Sequence, residues 1–190
     1  MRRRRSLIGV AAVVAVLALL LAVGVRQFVA QPYVIPSPSM RPTLQEGDVV
    51  LADRSSRGHA ERGQIVVFDG RGYFGGPDSR GHYWAKRVIA VGGDHISCCN
   101  DAGQLVLNGK ALAEPYLPAD TDTATVPFDL EVPQGRLFLL GDNRTDSTDS
   151  RHLLGAPGGG MVPEDRVVGS VTRIVWPLDR SGQLPSIHSR

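Results

Sequence analysis

Residues Leu7 to Val25 form a run without one charged side chain, and they follow Arg2, Arg3, Arg4 and Arg5 almost directly. As a helix rising 1.5 Å per residue, about 19 residues nearly match a hydrocarbon core of about 30 Å. Only Gly9 and Gly24 weaken a helix within the run. The preceding arginines hold the N-terminus on the cytoplasmic side, because positively charged flanks stay inside. A cleaved secretory signal peptide also begins with basic residues, but its apolar stretch is usually about 7–15 residues. The run is therefore read as a retained anchor, and both readings put the rest of the chain outside the cytoplasm. The chain divides into a basic cytoplasmic tail over 1–6, a transmembrane anchor over 7–25, an extracytoplasmic domain over 26–178 and a polar tail over 179–190.

Charge follows the same division. The formal net charge is +2, and Arg2 to Arg5 supply four positive charges, so the remainder carries −2. The basic character belongs to the N-terminal tail, and no basic patch suits nucleic acid. The partners this leaves are a lipid bilayer and whatever the outer domain acts on.

The 22 Gly and 13 Pro of the chain point away from a helical bundle and toward short strands joined by turns. Phe28 to Ile35 contains Pro32 and reads as an extended edge strand. Val49 to Ala52 and Ile65 to Phe68 read as buried strands, Tyr83 to Val91 as a strand carrying Lys86, and Arg136 to Leu140 and Val167 to Trp176 as two more. Residues 69–81 and 155–160 are Gly-rich loops. The stretch over about 95–131 is turn-rich, with a hairpin piece at Leu105 to Lys110, and reads as a small inserted β subdomain. The expected fold is mainly β: an antiparallel β domain with a small insert, behind one N-terminal transmembrane helix.

Cys98 and Cys99 are adjacent, and ordinary bridges need more widely separated Cα atoms. Two unpaired thiols are the expectation; a bridge or redox role is the alternative. Without a separated pair the cysteines say little about compartment.

Nucleophilic catalysis needs a hydroxyl, a base, an oxyanion donor and a group that orients the base. Ser39 lies on a loop stiffened by Pro36, Pro38 and Pro42, which also fixes Ser37. Ser-Pro loops are usually plain turns, so the loop alone carries little. Lysine usage carries more. Among 21 Lys plus Arg, only Lys86 and Lys110 are lysines. Arginine stays protonated in proteins, so an amine that must release its proton has to be lysine. Lys86 sits between Tyr83-Trp84-Ala85 and Val88-Ile89-Ala90-Val91, where burial lowers an amine pKa; the plain alternative is a strand-edge lysine reaching water. Lys110 follows Asn108-Gly109 and reads as a turn lysine. The stretch from Gly141 to Arg151 is dense in short polar groups. Ser147 could donate to the lysine amine, and Asp149 and Arg151 could pair and fix the loop. A solvated acidic loop is the alternative.

In this order the segments resemble one family. Ser39-Met40-Arg41-Pro42-Thr43-Leu44 looks like its nucleophile box, and Gly47-Asp48-Val49-Val50-Leu51 resembles the next strand box. Lys86-Arg87-Val88-Ile89-Ala90-Val91-Gly92-Gly93-Asp94 is similar to its lysine box, and Gly141 to Arg151 to its last box. The family is bacterial type I signal peptidase. The resemblance implies a membrane-anchored serine endopeptidase that removes signal peptides from secretory preproteins after an Ala-x-Ala pattern. It implies Ser39 as nucleophile, Lys86 as general base, Ser37 with the Ser39 N–H as oxyanion donors, and Ser147 as the group orienting the amine. It implies support from Asp142, Asp149 and Arg151, and Met40 packed beside the nucleophile. It implies neither cofactor nor metal. Ala90 and Gly92 depart from the Gly and Pro common in the lysine box. Ile35, Pro36 and Val88 are candidates for the substrate pockets, and Phe28, Tyr33 and Trp176 for facing the bilayer.

Three rivals stand beside this reading. A His-dependent serine hydrolase would use His59, His82, His95, His152 or His188, but none sits in a nucleophile or base motif and Gly-x-Ser-x-Gly is absent. A self-cleaving Ser/Lys regulator would need a DNA-binding domain where the anchor lies. A non-enzymatic anchored β domain would bind an export partner.

Overall fold

Short apolar segments between Gly, Pro and Asx turns fold as strands, and the computed structural model places them in two antiparallel sheets. It describes residues 12–21, 24, 30–74, 82–121, 126–156 and 158–184. The strands are β1 (Ala30–Val34), β2 (Val49–Asp53), β3 (Ile65–Asp69), β4 (Tyr83–Val91), β5 (His95–Cys98), β6 (Val106–Leu107), β7 (Lys110–Ala111), β8 (Phe128–Glu131), β9 (Arg136–Leu140), β10 (Val162–Pro163), β11 (Val167–Trp176) and β12 (Gly182–Gln183). The larger sheet runs β1-β2-β11-β3-β4-β9-β10, with β12 paired to β11. The smaller one runs β7-β6-β5-β8 and is built wholly from the segment between β4 and β9.

Pro32 has no N–H to give a ladder, and β1 lies at the edge of the larger sheet. β4 is central, flanked by β3 and β9, and its middle is buried on both sides. Lys86 pairs across with Val66, and Arg87 with Ile65 on one side and Leu140 on the other. One buried cluster, including Ile35, Met40, Leu44, Val50 and Ile65, underlies the loop after β1. A second, including Ile89, Ile96, Leu105, Phe128 and Phe138, joins the two sheets. Val88 is wholly buried in a third with Val66, Phe68 and Leu139.

Two expectations need correction. Cys98 and Cys99 are joined to each other by a disulfide, and neither is free. Both side chains pack against the cluster between the sheets, at the end of β5. The tail is also more than a polar extension: Gly182 and Gln183 add β12, and Arg180 reaches the buried Asp48 with Nε and Nη2, each at 3.0 Å.

Residues 12–21 are helical and exposed. Among the described residues no helix is long and apolar enough to cross a membrane. Most of the rest of the expected 7–25 anchor, the Arg2 to Arg5 tail and Phe28 lie outside the described residues. Trp176, for which core and surface were both open, is exposed.

Candidate active site

Ser39 stands in the middle of a single 3-10 turn, Pro38–Met40. Pro38 takes the first turn position, where its fixed φ suits a helix and its missing N–H costs nothing. Ser37 before it is extended, and the Arg41 N–H closes the turn on the Pro38 carbonyl at 3.0 Å. Met40 is buried against Ile35 and Leu44, so the turn is nailed to the core immediately after the serine. The Ser37 and Ser39 hydroxyls lie 3.2 Å apart.

Lys86 projects from the centre of β4 and is 1% exposed. Its Nζ donates to Ser39 Oγ at 2.7 Å. Among the described residues, Lys86 and Ser37 are the hydrogen-bond partners of the Ser39 hydroxyl, and no histidine reaches it. Burial lowers the Lys86 pKa to about 8, against the opposing pull of the Asp149 and Asp142 charges. The Trp84 ring centroid lies 5.6 Å from the amine and forms part of its apolar surround. A neutral amine there can accept the hydroxyl proton, reversing the direction of the hydrogen bond.

The turn after β9 brings in the remaining groups. Gly141 must be glycine, since a Cβ would overlap the Ser147 hydroxyl and the Ser39 carbonyl. Asn143 donates its backbone N–H to the Ser39 carbonyl at 3.1 Å and its side-chain Nδ2 to the Pro38 carbonyl at 3.2 Å. Asp142 accepts from Arg87 Nε at 2.8 Å, Arg87 Nη2 at 2.5 Å and Thr43 Oγ1 at 2.5 Å. Asp149 accepts from Arg151 Nε at 3.0 Å and Nη2 at 2.8 Å, and from the Gly141 N–H at 3.1 Å. Burial would raise the Asp149 pKa, but Arg151 and the Gly141 N–H hold it below the ordinary carboxylate value.

Ser37, Ser39, Met40, Lys86, Asp142, Ser147, Asp149 and Arg151 thus gather where the turn after β1, the middle of β4 and the turn after β9 come together. The Ser147 hydroxyl is buried beside Asp149, whose carboxyl it helps hold low, and among the described residues no well-formed hydrogen bond joins it to Lys86. Sequence reasoning passed over Arg87, Thr43, Asn143, Gly141 as a packing site, and the Glu114, Tyr116 and Arg144 group. Arg87 had a signal: a second cation directly after a buried lysine needs a buried acid, and Asp142 was already a candidate.

A groove of about 620 Å³ opens nearby beside Pro42, Thr43, Gly63, Arg87, Tyr116 and Leu184, but neither Ser39 nor Lys86 lines it. The chemistry follows the hydroxyl and the amine, not this groove. Among the described residues no group of three or more His, Cys, Asp or Glu could hold a metal ion.

The sequence model of the family described as signal peptidase, peptidase S26, matches residues 8–176. The chain belongs to that family. Within it, the chain is 33% identical to a probable signal peptidase I of Mycobacterium leprae (strain TN), covering 99% of this chain and 83% of that protein. It is 36% identical to a signal peptidase I of Mycobacterium tuberculosis (strain CDC 1551 / Oshkosh), over 97% of this chain and 78% of that one. It is 35% identical to signal peptidase I T of Bacillus subtilis (strain 168), over 88% and 85%. A crystal structure of a signal peptidase I from Enterococcus faecalis V583 aligns with a TM-score of 0.45 and 28% identity, covering 60% of this chain and 97% of that one. Type I signal peptidases are serine endopeptidases, and membership of the family supports signal peptide removal by a serine peptidase.

Proposed function

We propose that this signal peptidase cleaves secretory preproteins with Ser39 as nucleophile and Lys86 as general base. The observation that carries this is the 2.7 Å contact between the buried amine and the hydroxyl. Ser39 Oγ attacks the scissile carbonyl carbon while its proton passes to Lys86 Nζ. The oxyanion is held by the Ser39 N–H and the Ser37 hydroxyl. Collapse breaks the peptide bond, and the leaving nitrogen takes the proton from Lys86. A water then gives its proton to the same amine, attacks the acyl carbon and frees Ser39. Asp149 with Arg151, and Asp142 with Arg87, fix the surroundings, and the Ser147 hydroxyl, beside Asp149, can turn toward the amine.

The substrate is an extended signal peptide ending in small residues, an Ala-x-Ala pattern. It lies beside Ile35 and Pro36, adding main-chain hydrogen bonds at the edge of β1. Packed Ile35 leaves little room for a larger side chain. The chain is anchored once in the cell membrane, with the N-terminus cytoplasmic and the β domain outside. An apolar helix exposed on every side, as at 12–21, suits lipid rather than water. Exposed Val34 and Trp176 both pair across to Val49, so they form a row suited to the membrane surface.

The full chain in lipid vesicles, given an Ala-x-Ala preprotein peptide, tests the reading. Cleavage should vanish in Ser39→Ala, Lys86→Ala and Lys86→Arg, with the fold intact. Robust turnover by Lys86→Arg would remove the base assignment.

A further inference from the structure

Two arginines beside the catalytic turn are buried, and both are covered by the short segment that follows β7. The Arg87 side chain is 3% exposed. It pairs with Asp142, donates Nη1 to the Gly63 carbonyl at 2.7 Å, and lies 3.8 Å from the Tyr116 ring centroid. The Arg144 side chain is 1% exposed. It donates Nε to the Gly141 carbonyl at 3.1 Å and both terminal nitrogens to the Glu114 carboxylate, with the Tyr116 hydroxyl 3.4 Å away. Tyr116 in turn donates to Glu114 at 2.6 Å. Burial, then the Glu114 charge, pushes the Tyr116 hydroxyl up, so it stays protonated for that bond.

We propose that Glu114 and Tyr116 are positioning residues for the reaction: they form a strap that grips Arg87 and Arg144 and so fixes the turn holding the Ser39 loop. The proposal rests on the Ser39 and Lys86 reading. The chain of contacts is short. The strap holds Arg144, and Arg144 holds the Gly141 carbonyl. Asn143, between them, holds the carbonyls of Pro38 and Ser39. On the other side, the Tyr116 ring covers Arg87, whose partner Asp142 also takes the Thr43 hydroxyl from the far end of the Ser39 loop. Among the described residues, neither strap residue hydrogen-bonds to Ser39 or Lys86. Without the strap, two buried cations lose a carboxylate and an aromatic face, and water enters beside Asp142. The smaller sheet therefore contributes to catalysis through the segment that leaves it.

The test measures kcat and KM on an Ala-x-Ala peptide, with the full chain in lipid vesicles, alongside thermal melting. Tyr116→Leu removes the ring face and should lower kcat about 100-fold, the scale of a small misplacement of reacting groups, while KM stays within about threefold. Tyr116→Phe keeps the ring over Arg87 and should recover to within about fivefold of the parent. Glu114→Gln keeps the shape, removes the charge opposite Arg144, and should lower kcat about tenfold. If Tyr116→Leu does not fold, Glu114→Gln decides through the same kcat against KM split, and parental kcat there overturns the strap. Parental kcat in Glu114→Gln and Tyr116→Leu, or loss confined to melting temperature, overturns the strap. Lys86→Met is run in parallel. Full activity there overturns the Ser39 and Lys86 reading and the strap with it, whereas an inactive Lys86→Met beside fully active strap variants overturns the strap alone.

Discussion

Asn143 ties two distant loops together: its backbone N–H and its side-chain amide end on the consecutive carbonyls of Ser39 and Pro38. The nucleophile therefore sits on a turn whose carbonyls are held by the opposite side of the site. Asn143→Ala keeps the backbone bond and loses the side-chain one. It should cost about 1 kcal/mol of stability and lower kcat several-fold, read by melting and steady-state kinetics. An unchanged kcat would mean that the backbone bond suffices.

Activity should rise with pH through about 8, the value to which burial brings Lys86. Below it the amine carries a proton and cannot act as base, so kcat/KM should fall about tenfold per pH unit. A flat profile from pH 6 to 9 would show that no such amine governs the rate.

The same amine shapes stability. Its folded pKa of about 8 is below the ordinary 10.5, so between these values the unfolded chain binds more protons and stability rises with pH. Below about 8 the burial of a charge is fully felt, on the order of 3 kcal/mol. Lys86→Met should therefore melt higher than the parent at pH 7, with the gap closing by pH 10. A constant gap across that range would contradict the origin assigned to it.

Gly141→Ala places a methyl group against the Ser39 carbonyl and the Ser147 hydroxyl. Overpacking of this kind costs about 1–3 kcal/mol, and displacement of Ser39 should lower kcat about 100-fold. Circular dichroism with peptide hydrolysis separates the two effects.

Arg151→Met leaves the Asp149 carboxylate buried with only the His152 Nδ1, at 3.5 Å, as a neighbour able to carry positive charge; both side chains of the Asp149–Arg151 pair are 0% exposed. Removing one partner of such a pair costs about 3–5 kcal/mol. The variant should melt far below the parent, and its remaining activity should shift to higher pH, because an uncompensated Asp149 favours protonated Lys86.

The legibility of the chain divides along physical lines. Residues 65–68, 83–91 and 136–140 were readable as strands because long β-branched and apolar runs between glycines leave few alternatives. Pro32 announced the edge. Strands β10 and β12 were not readable: two-residue bridges form because a neighbour offers an edge, and nothing local in Val162-Pro163 or Gly182-Gln183 encodes that. The disulfide was misjudged because spacing alone argued against it. In the site, Ser39, Lys86 and the Asp149–Arg151 pair stood out by residue type and order. Arg144 with Glu114 did not, since 30 residues separate them and two exposed charges would have looked the same. Ser147 kept its neighbourhood but not the expected bond to the amine.

The contact between Arg180 and Asp48 has a practical side. Asp48 also accepts the Gln45 N–H at 2.8 Å, and Arg180 Nη2 reaches the Thr43 carbonyl at 3.4 Å. The stretch just downstream of the last long strand is therefore a fastener for the loop that begins at the nucleophile. An expression truncation ending at Trp176, where the match to the family stops, would release that loop, so shortened versions for crystallisation or inhibitor screening should retain residues through Leu184.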